Sequence, residues 1–568
     1  MSKRHTELGR EPGLRFALLT AHLFLAACTG SIGGAGGPEE GVVDPNKTPD
    51  QVGEKATGSS GLRFARLSGL QWKHSVLQLF QLPASTPVSL PQETLPHFTF
   101  DTSQPSITVP STVLTGLRDA VESLVVKVAP DDTSLQAFVP AGTPVDTTAR
   151  AEAVAGQLLL RAFRRPPTAD ELAKYKGYIL AGAGGNDNEK LRAGLRAALQ
   201  IAAQSPHFLS RVELADNAKV IASPVGGRVR LTGYELATRL SLALYDVAPD
   251  DAMLSDAKAG RFDDDAGLAA QVDKALADPR SRAAILRFHE QMYSTDEYAG
   301  LSKDAAKFPL FKAGVGTDMR EDMLRTVGNV IDEGGGVREL LSTRTGYLNA
   351  RLAPLYGRPS TGLNDNDFVK TELPAERAGV LSRVGWLAWS AGPVERRPIL
   401  RGVVMLNNVL CERTSGSPPP PAEPTYPVNI VTNRQRIEFA TKDCMGCHAA
   451  INSKGFAFQH FDASGAFVAE DNGKPADASV EFMLDGASVK VDGSAAMFEK
   501  IAASRQAQTC YAKRWTAYLI GYADSTLEDK IAAGLADEAA KRRVSVREIA
   551  RTILLSDAFT TRKITEAP

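Results

Sequence analysis

The chain has 568 residues, more than one hydrophobic core can organise. At roughly 100 to 200 residues per domain it calls for three or four domains. Its 65 Lys plus Arg and 66 Asp plus Glu leave a net charge of -1, so there is no electrostatic case for nucleic acid as a partner.

The N-terminus comes first in chain order. Lys3, Arg4, Arg10 and Arg15 lie around the start of "FALLTAHLFLAAC", residues 16–28. The apolar stretch 16–27 is too short to span a bilayer but suits the core of a signal peptide. It ends in Leu25-Ala26-Ala27-Cys28, which resembles a bacterial lipobox, where the cysteine is acylated and becomes the new N-terminus. Residues 1–28 therefore read as a lipoprotein signal peptide with Cys28 as the lipidation site. The bland alternative is an ordinary secretion signal with an incidental cysteine. On both readings the mature chain is exported, and acyl chains would hold it at a membrane. Thr29 is not the acidic residue that retains some lipoproteins in the inner membrane, so the expectation is a cell-envelope lipoprotein of the outer membrane. Residues 29–60 are Gly-rich and polar, a flexible tether. "GVLSRVGWLAWSAG", residues 379–392, is the nearest later approach to a membrane span, and Arg383 interrupts it.

From Gly61 the signals are mainly helical. Thr168 with Glu171, Thr232 with Glu235 and Ser545 with Glu548 are capping-box starts ahead of apolar periodicity. A further helix is expected from Pro279. "SVEFMLDGASVKVDG", residues 479–493, alternates about Asp485-Gly486 and predicts a β-hairpin. The expected fold is mainly α: several helical domains in series, with a small cytochrome c-like segment carrying a β-hairpin near the C-terminus. The segments are 61–145, 146–215, 228–357, a 372–495 segment with a stiff Pro-rich spacer at 417–427, and a helical 496–563.

The chemistry concentrates in "KDCMGCHAAINSKGF", residues 442–456. Two thiols at i and i+3 can bond both vinyl groups of a porphyrin and leave the next imidazole beside the iron. Cys444, Cys447 and His448 therefore read as a c-type haem attachment, with one covalent haem c and His448 as the metal ligand. The competing readings are a C-x-x-C disulfide or redox pair, and half of a zinc site, which needs about four ligands. Cys411 and Cys510 flank the motif and are expected to form a disulfide in an oxidising compartment, the alternative being two buried thiols. Such a bridge, closing a loop of about 100 residues, is worth roughly 4.7 kcal/mol in the chain-entropy model. A sixth iron ligand stays open among Met483, Met497, His460 or none, with His289 on an earlier helix as a remoter candidate. "FHEQMY" is not H-E-x-x-H, because Tyr293 stands where the second histidine would, and no nucleophile elbow or phosphate loop is present.

Beyond the motif, the chain resembles the large exported proteins of planctomycetes and myxobacteria built from consecutive domains of unknown function around one C-x-x-C-H. The resemblance runs in order over roughly 66–562, through "RLSGLQWKHSVLQLF", "RAFRRPPTADELAKY", "SPHFLSRVEL", "LTGYELATRLSLALYDVAPDDAML", "ADPRSRAAILRFHEQ", "RRPILRGVVMLNNVLC", "CMGCHAAINSKGFAFQHFDASGAF" and "QTCYAKRWTAYLIGYA". It implies a cytochrome-like protein with haem on Cys444, Cys447 and His448 and no assigned substrate. It also implies a structural role for Cys411 and Cys510. The chain departs from the pattern at Ser453, where a proline is usual, and at His460, where an asparagine is usual.

Two functions follow. The first is an exported, membrane-tethered c-type cytochrome-like protein for electron transfer or haem-dependent oxidoreduction. Its partners would be a redox protein or a small or polymeric extracellular substrate. It requires a pocket lined by apolar residues after Cys447, with His448 pointing into it. The second is a non-redox envelope scaffold lipoprotein. It requires a disulfide between Cys444 and Cys447 and no such pocket.

Overall fold

In the computed structural model the described residues are 64–91, 99–102, 110–215, 220–221, 227–412, 424–521 and 525–563. The signal peptide with Cys28, the tether, and residues 417–423 of the Pro-rich spacer lie outside them.

The capping signals start helices where they are expected. Thr168, Thr232 and Ser545 each accept from the backbone N–H three residues on, and the glutamate there reaches back, opening helices Ala169–Leu180, Gly233–Tyr245 and Val546–Leu554. Pro279 opens helix Pro279–Met292, where its missing N–H costs nothing. The hairpin pairs Ser479–Leu484 with Ala487–Asp492 in antiparallel register, Leu484 opposite Ala487. Asp485 and Gly486 between them both have positive φ, as a two-residue hairpin turn demands. Among the described residues the fold is mainly α, with only short β-ladders.

Apolar side chains gather in two clusters. The first belongs to the N-terminal part. Helices Gly69–Leu79, Ser111–Val125, Thr147–Phe163, Ala169–Leu180 and Asp187–Ala203 turn Trp72, Val121, Leu159, Ile179 and Leu195 inward. The second takes in Phe100 and then runs from Leu231 to Phe559, so residues of the 228–357, 372–495 and 496–563 segments share one continuous core. Strand Thr561–Lys563 closes this body by pairing antiparallel with Arg228–Arg230. Below that ladder Glu213 is fully buried between two arginines, Arg211 and Arg239, each within 2.5 Å. Burial alone would expel such a carboxylate, and the paired guanidinium groups reverse the balance and hold its pKa below the ordinary value.

The segment 379–392 contributes a short buried helix, Val384–Trp389, not a span. Arg383 is itself buried and donates to the carbonyls of Thr343 and Thr345. Among the described residues no helix is long and apolar enough to cross a membrane.

Candidate functional site

The motif sits where one helix ends and another begins. Thr432 and Gln435 form a capping box that starts helix Asn433–Thr441. A single tight turn, Lys442–Cys444, then leads into helix Met445–Gly455. This motif helix is divided along its length. Its first turn, from Cys444 to Cys447, is exposed, whereas Ile451, Asn452, Lys454, Gly455 and the following Phe456, Ala457 and Phe458 are buried.

Glycine makes the anchorage of the buried half possible. Helix Pro398–Val404 crosses so closely that a Cβ on Gly402 would meet the Ile451 carbonyl oxygen at 2.1 Å, and one on Gly455 would meet that of Pro398 at 2.0 Å. Below the helix the fully buried Arg401 donates to the carbonyls of Leu387 (3.0 Å) and Phe458 (3.2 Å), tying down the turn that follows. Lys454, only 3% exposed, reaches Glu412 Oε2 at 3.4 Å and lies 5.6 Å from the Phe482 ring centroid. Glu412 is the neighbour of Cys411, and the expected disulfide is present: Cys411 and Cys510 are joined across 99 positions with Cα atoms 5.2 Å apart.

Cys444 and Cys447 are both exposed, and no disulfide joins them. His448 is half-buried on the same turn, its Nδ1 3.4 Å from Asn452 Oδ1. Asn452 in turn donates from Nδ2 to Thr441 Oγ1 at 3.1 Å, and Thr441 donates to the Ile437 carbonyl at 2.8 Å. The donor set suits a covalently attached haem: two solvent-reachable sulfurs one helical turn apart, and an imidazole immediately after the second. It falls short of the four ligands of a structural zinc site, and no cluster of three or more His, Cys, Asp or Glu side chains capable of holding a metal occurs among the described residues.

An open groove of about 910 Å³ runs beside this helix, between it and the hairpin. Met445, Ala449, Asn452 and Phe456 line one side, Val480 and Val491 the other, with Arg434, Lys442 and Lys490 at the rim. Cys444, Cys447 and His448 are not among the residues lining this groove. Positions 445, 449, 452 and 456 share one stripe, the two cysteines lie away from it, and His448 sits at its edge, one turn before Asn452.

The sixth-ligand candidates are dispersed. Met497 is buried in the core and Met483 is 55% exposed on the hairpin. His460 has its Nδ1 3.3 Å from the Val468 carbonyl and its ring stacked on Phe467. His289 is fully buried, with Nδ1 on the Ile285 carbonyl at 2.8 Å and Nε2 on the Tyr511 hydroxyl at 2.7 Å, so both its nitrogens are engaged.

Sequence reasoning missed Asn452, Thr441, Lys454 and Glu412. Asn452 was findable, because it stands one turn after His448 on the same helix. The others come from separate elements and carry no local signal.

Three families match the chain in order. PSD5, a protein of unknown function (DUF1595), covers 150–213; PSD4 (DUF1592) covers 231–357; and PSCyt3 (DUF1588) covers 377–471. The chain carries three serial domains of unknown function. The DUF1588 match holds the motif helix, the crossing helix Pro398–Val404, Glu412 and Cys411. Cys510 lies beyond it, so the disulfide ties the DUF1588 region to the C-terminal helices. No curated protein and no solved structure matches the chain.

Proposed function

We propose that this chain is an exported, membrane-tethered c-type cytochrome-like protein. It would carry one covalent haem, for electron transfer or haem-dependent oxidoreduction in the cell envelope. One observation carries the reading. Exposed Cys444 and Cys447 and half-buried His448 stand together at the start of a helix whose other half is locked into the core.

In this role Cys444 and Cys447 would hold the porphyrin by thioether bonds, each thiol's S–H adding across one vinyl group with no oxidant required. Haem, once bound, supplies a one-electron iron couple. His448 would hold the iron through an imidazole nitrogen, and the buried half of the helix keeps the three side chains in register. The Cys411–Cys510 bridge accords with an oxidising compartment, as does the signal-peptide pattern at 1–28. Acylation of Cys28 would tether the body to the outer membrane. The redox partner is a protein, or a small or polymeric substrate, reached at the exposed side of the motif. A carrier needs only a small domain, so a haem on a body of this size favours a substrate-handling role.

The test is an absorption spectrum of the mature protein, oxidised and reduced, from a host that matures c-type haem. A Cys444→Ala, Cys447→Ala double variant is the control. A haem band that survives denaturation in the parent and is lost in the control is expected. No haem despite good expression would overturn the proposal and leave a non-redox envelope scaffold in its place.

A further inference from the structure

The hydrogen bonds behind the motif decide which imidazole nitrogen of His448 is available. Thr441 Oγ1 is 2.8 Å from the Ile437 carbonyl, one turn back on its own helix. A carbonyl can only accept, so the single hydroxyl proton of Thr441 is committed there. Its oxygen must then be the acceptor for the Asn452 amide, 3.1 Å away, which places the NH₂ of Asn452 on Thr441 and its carbonyl oxygen on His448. That oxygen, 3.4 Å from Nδ1, can only accept a proton. Asn452 and Thr441 are 5% and 6% exposed, so water competes poorly for either group.

We infer that Thr441 and Asn452 form a directional relay that holds the proton of His448 on Nδ1 and leaves the Nε2 lone pair for a metal. They are positioning residues. Were the Asn452 amide reversed, its NH₂ would face Nδ1, the proton would move to Nε2, and the metal-facing nitrogen would be blocked. The relay crosses the break between two helices, so it also fixes the imidazole against Asn433–Thr441 as well as against its own helix. A hydrogen bond from Nδ1 to a polar oxygen raises the basicity of the opposite nitrogen and biases a bound iron toward its oxidised state.

The inference rests on the haem reading for its consequence but not for its geometry, and two measurements separate them. In the haem-loaded full chain, Asn452→Asp should lower the midpoint potential, because a carboxylate accepts more strongly. Asn452→Leu should raise it. Thr441→Val, which leaves Asn452 in place but removes its acceptor, should shift it in the same direction as Asn452→Leu. All three should keep covalent haem, since the cysteines are untouched. Unchanged potentials in both Asn452→Leu and Thr441→Val would overturn the relay while leaving the haem reading intact. If the parent carries no haem, the haem reading fails, and ¹⁵N NMR of the histidine rings in that same protein tests the relay directly. A neutral His448 protonated at Nδ1 in the parent, with the proton redistributed to Nε2 in Thr441→Val, supports it. A parent His448 protonated at Nε2 overturns it.

Discussion

Lys454, on the motif helix, and Glu412, beside the disulfide, face each other at 3.4 Å. Gln506 holds the other carboxylate oxygen of Glu412 at 2.7 Å, so the helix bearing Cys510 also enters this contact. The motif helix is thus fastened by one ion pair to the place where the chain is covalently closed. Lys454→Ala would leave Glu412, itself one-third exposed, without its cation. A loss of about 1–2 kcal/mol is expected in the denaturant midpoint, less than for a fully buried pair because solvent can still reach the carboxylate. Lys454→Met, which keeps the stem against Phe482, should lose less.

The two glycines of the helix crossing make a sharper contrast. Gly455→Ala sets a methyl group 2.0 Å from the Pro398 carbonyl oxygen, so the helices must separate, at a cost of about 1–3 kcal/mol. Gly446→Ala on the same helix meets nothing within 4 Å and should be neutral or stabilising by about 0.5–1 kcal/mol. Thermal unfolding of the two variants side by side checks the crossing. Equal stability would mean that the helices are not packed this closely.

Removing the bridge has a separate expected signature. Replacing both Cys411 and Cys510 by alanine frees a loop of 99 positions and should cost about 2–5 kcal/mol. Peptide mapping without reductant should recover the 411 and 510 peptides as one species. A pairing of either with Cys444 or Cys447 would contradict the structure.

The buried histidines contribute stability that falls as the medium is acidified below neutrality. Burial pushes His289 from its ordinary 6.5 down to about 4. The unfolded chain therefore takes up a proton as pH falls through 6.5, while the folded chain resists until about 4, and the stabilisation present above 6.5 is lost across that window. The whole step is worth about 3 kcal/mol. His74 and His207 are also lowered, chiefly by burial, and add in the same direction. Between pH 6.5 and 5 the buried Asp246, raised by burial to about 7, works in the opposite sense in parent and variant alike, so the slope of stability against pH should be less positive in His289→Phe than in the parent. An unchanged slope would show that His289 is not buried as a neutral imidazole.

The helix starts at Thr168, Thr232 and Ser545, the Pro279 start and the Asp485-Gly486 turn were all legible from a few adjacent residues. The pairing of Cys411 with Cys510 was also expected, from the oxidising compartment that an export signal implies and from their places on either side of the motif. Each of the local signals concerns backbone groups within three or four residues, which a short window contains in full. The C-x-x-C-H spacing belongs to the same class, and it selected the region that the tertiary structure then built around.

Other features needed the folded chain. His289 reads as a candidate ligand until Tyr511, 222 positions away, is found on its Nε2. The apolar stripe of the motif helix turns to the groove, a matter of which face the hairpin covers. Thr441 and Asn452 are 11 positions apart across a helix break, and only the bend between the two helices brings them into contact. The sequence by itself determined where helices begin, where the hairpin turns and which residues form the C-x-x-C-H set. Tertiary structure decided which way those side chains face and what holds them, because packing between distant elements depends on shape and burial across the whole core, which no short stretch of sequence contains.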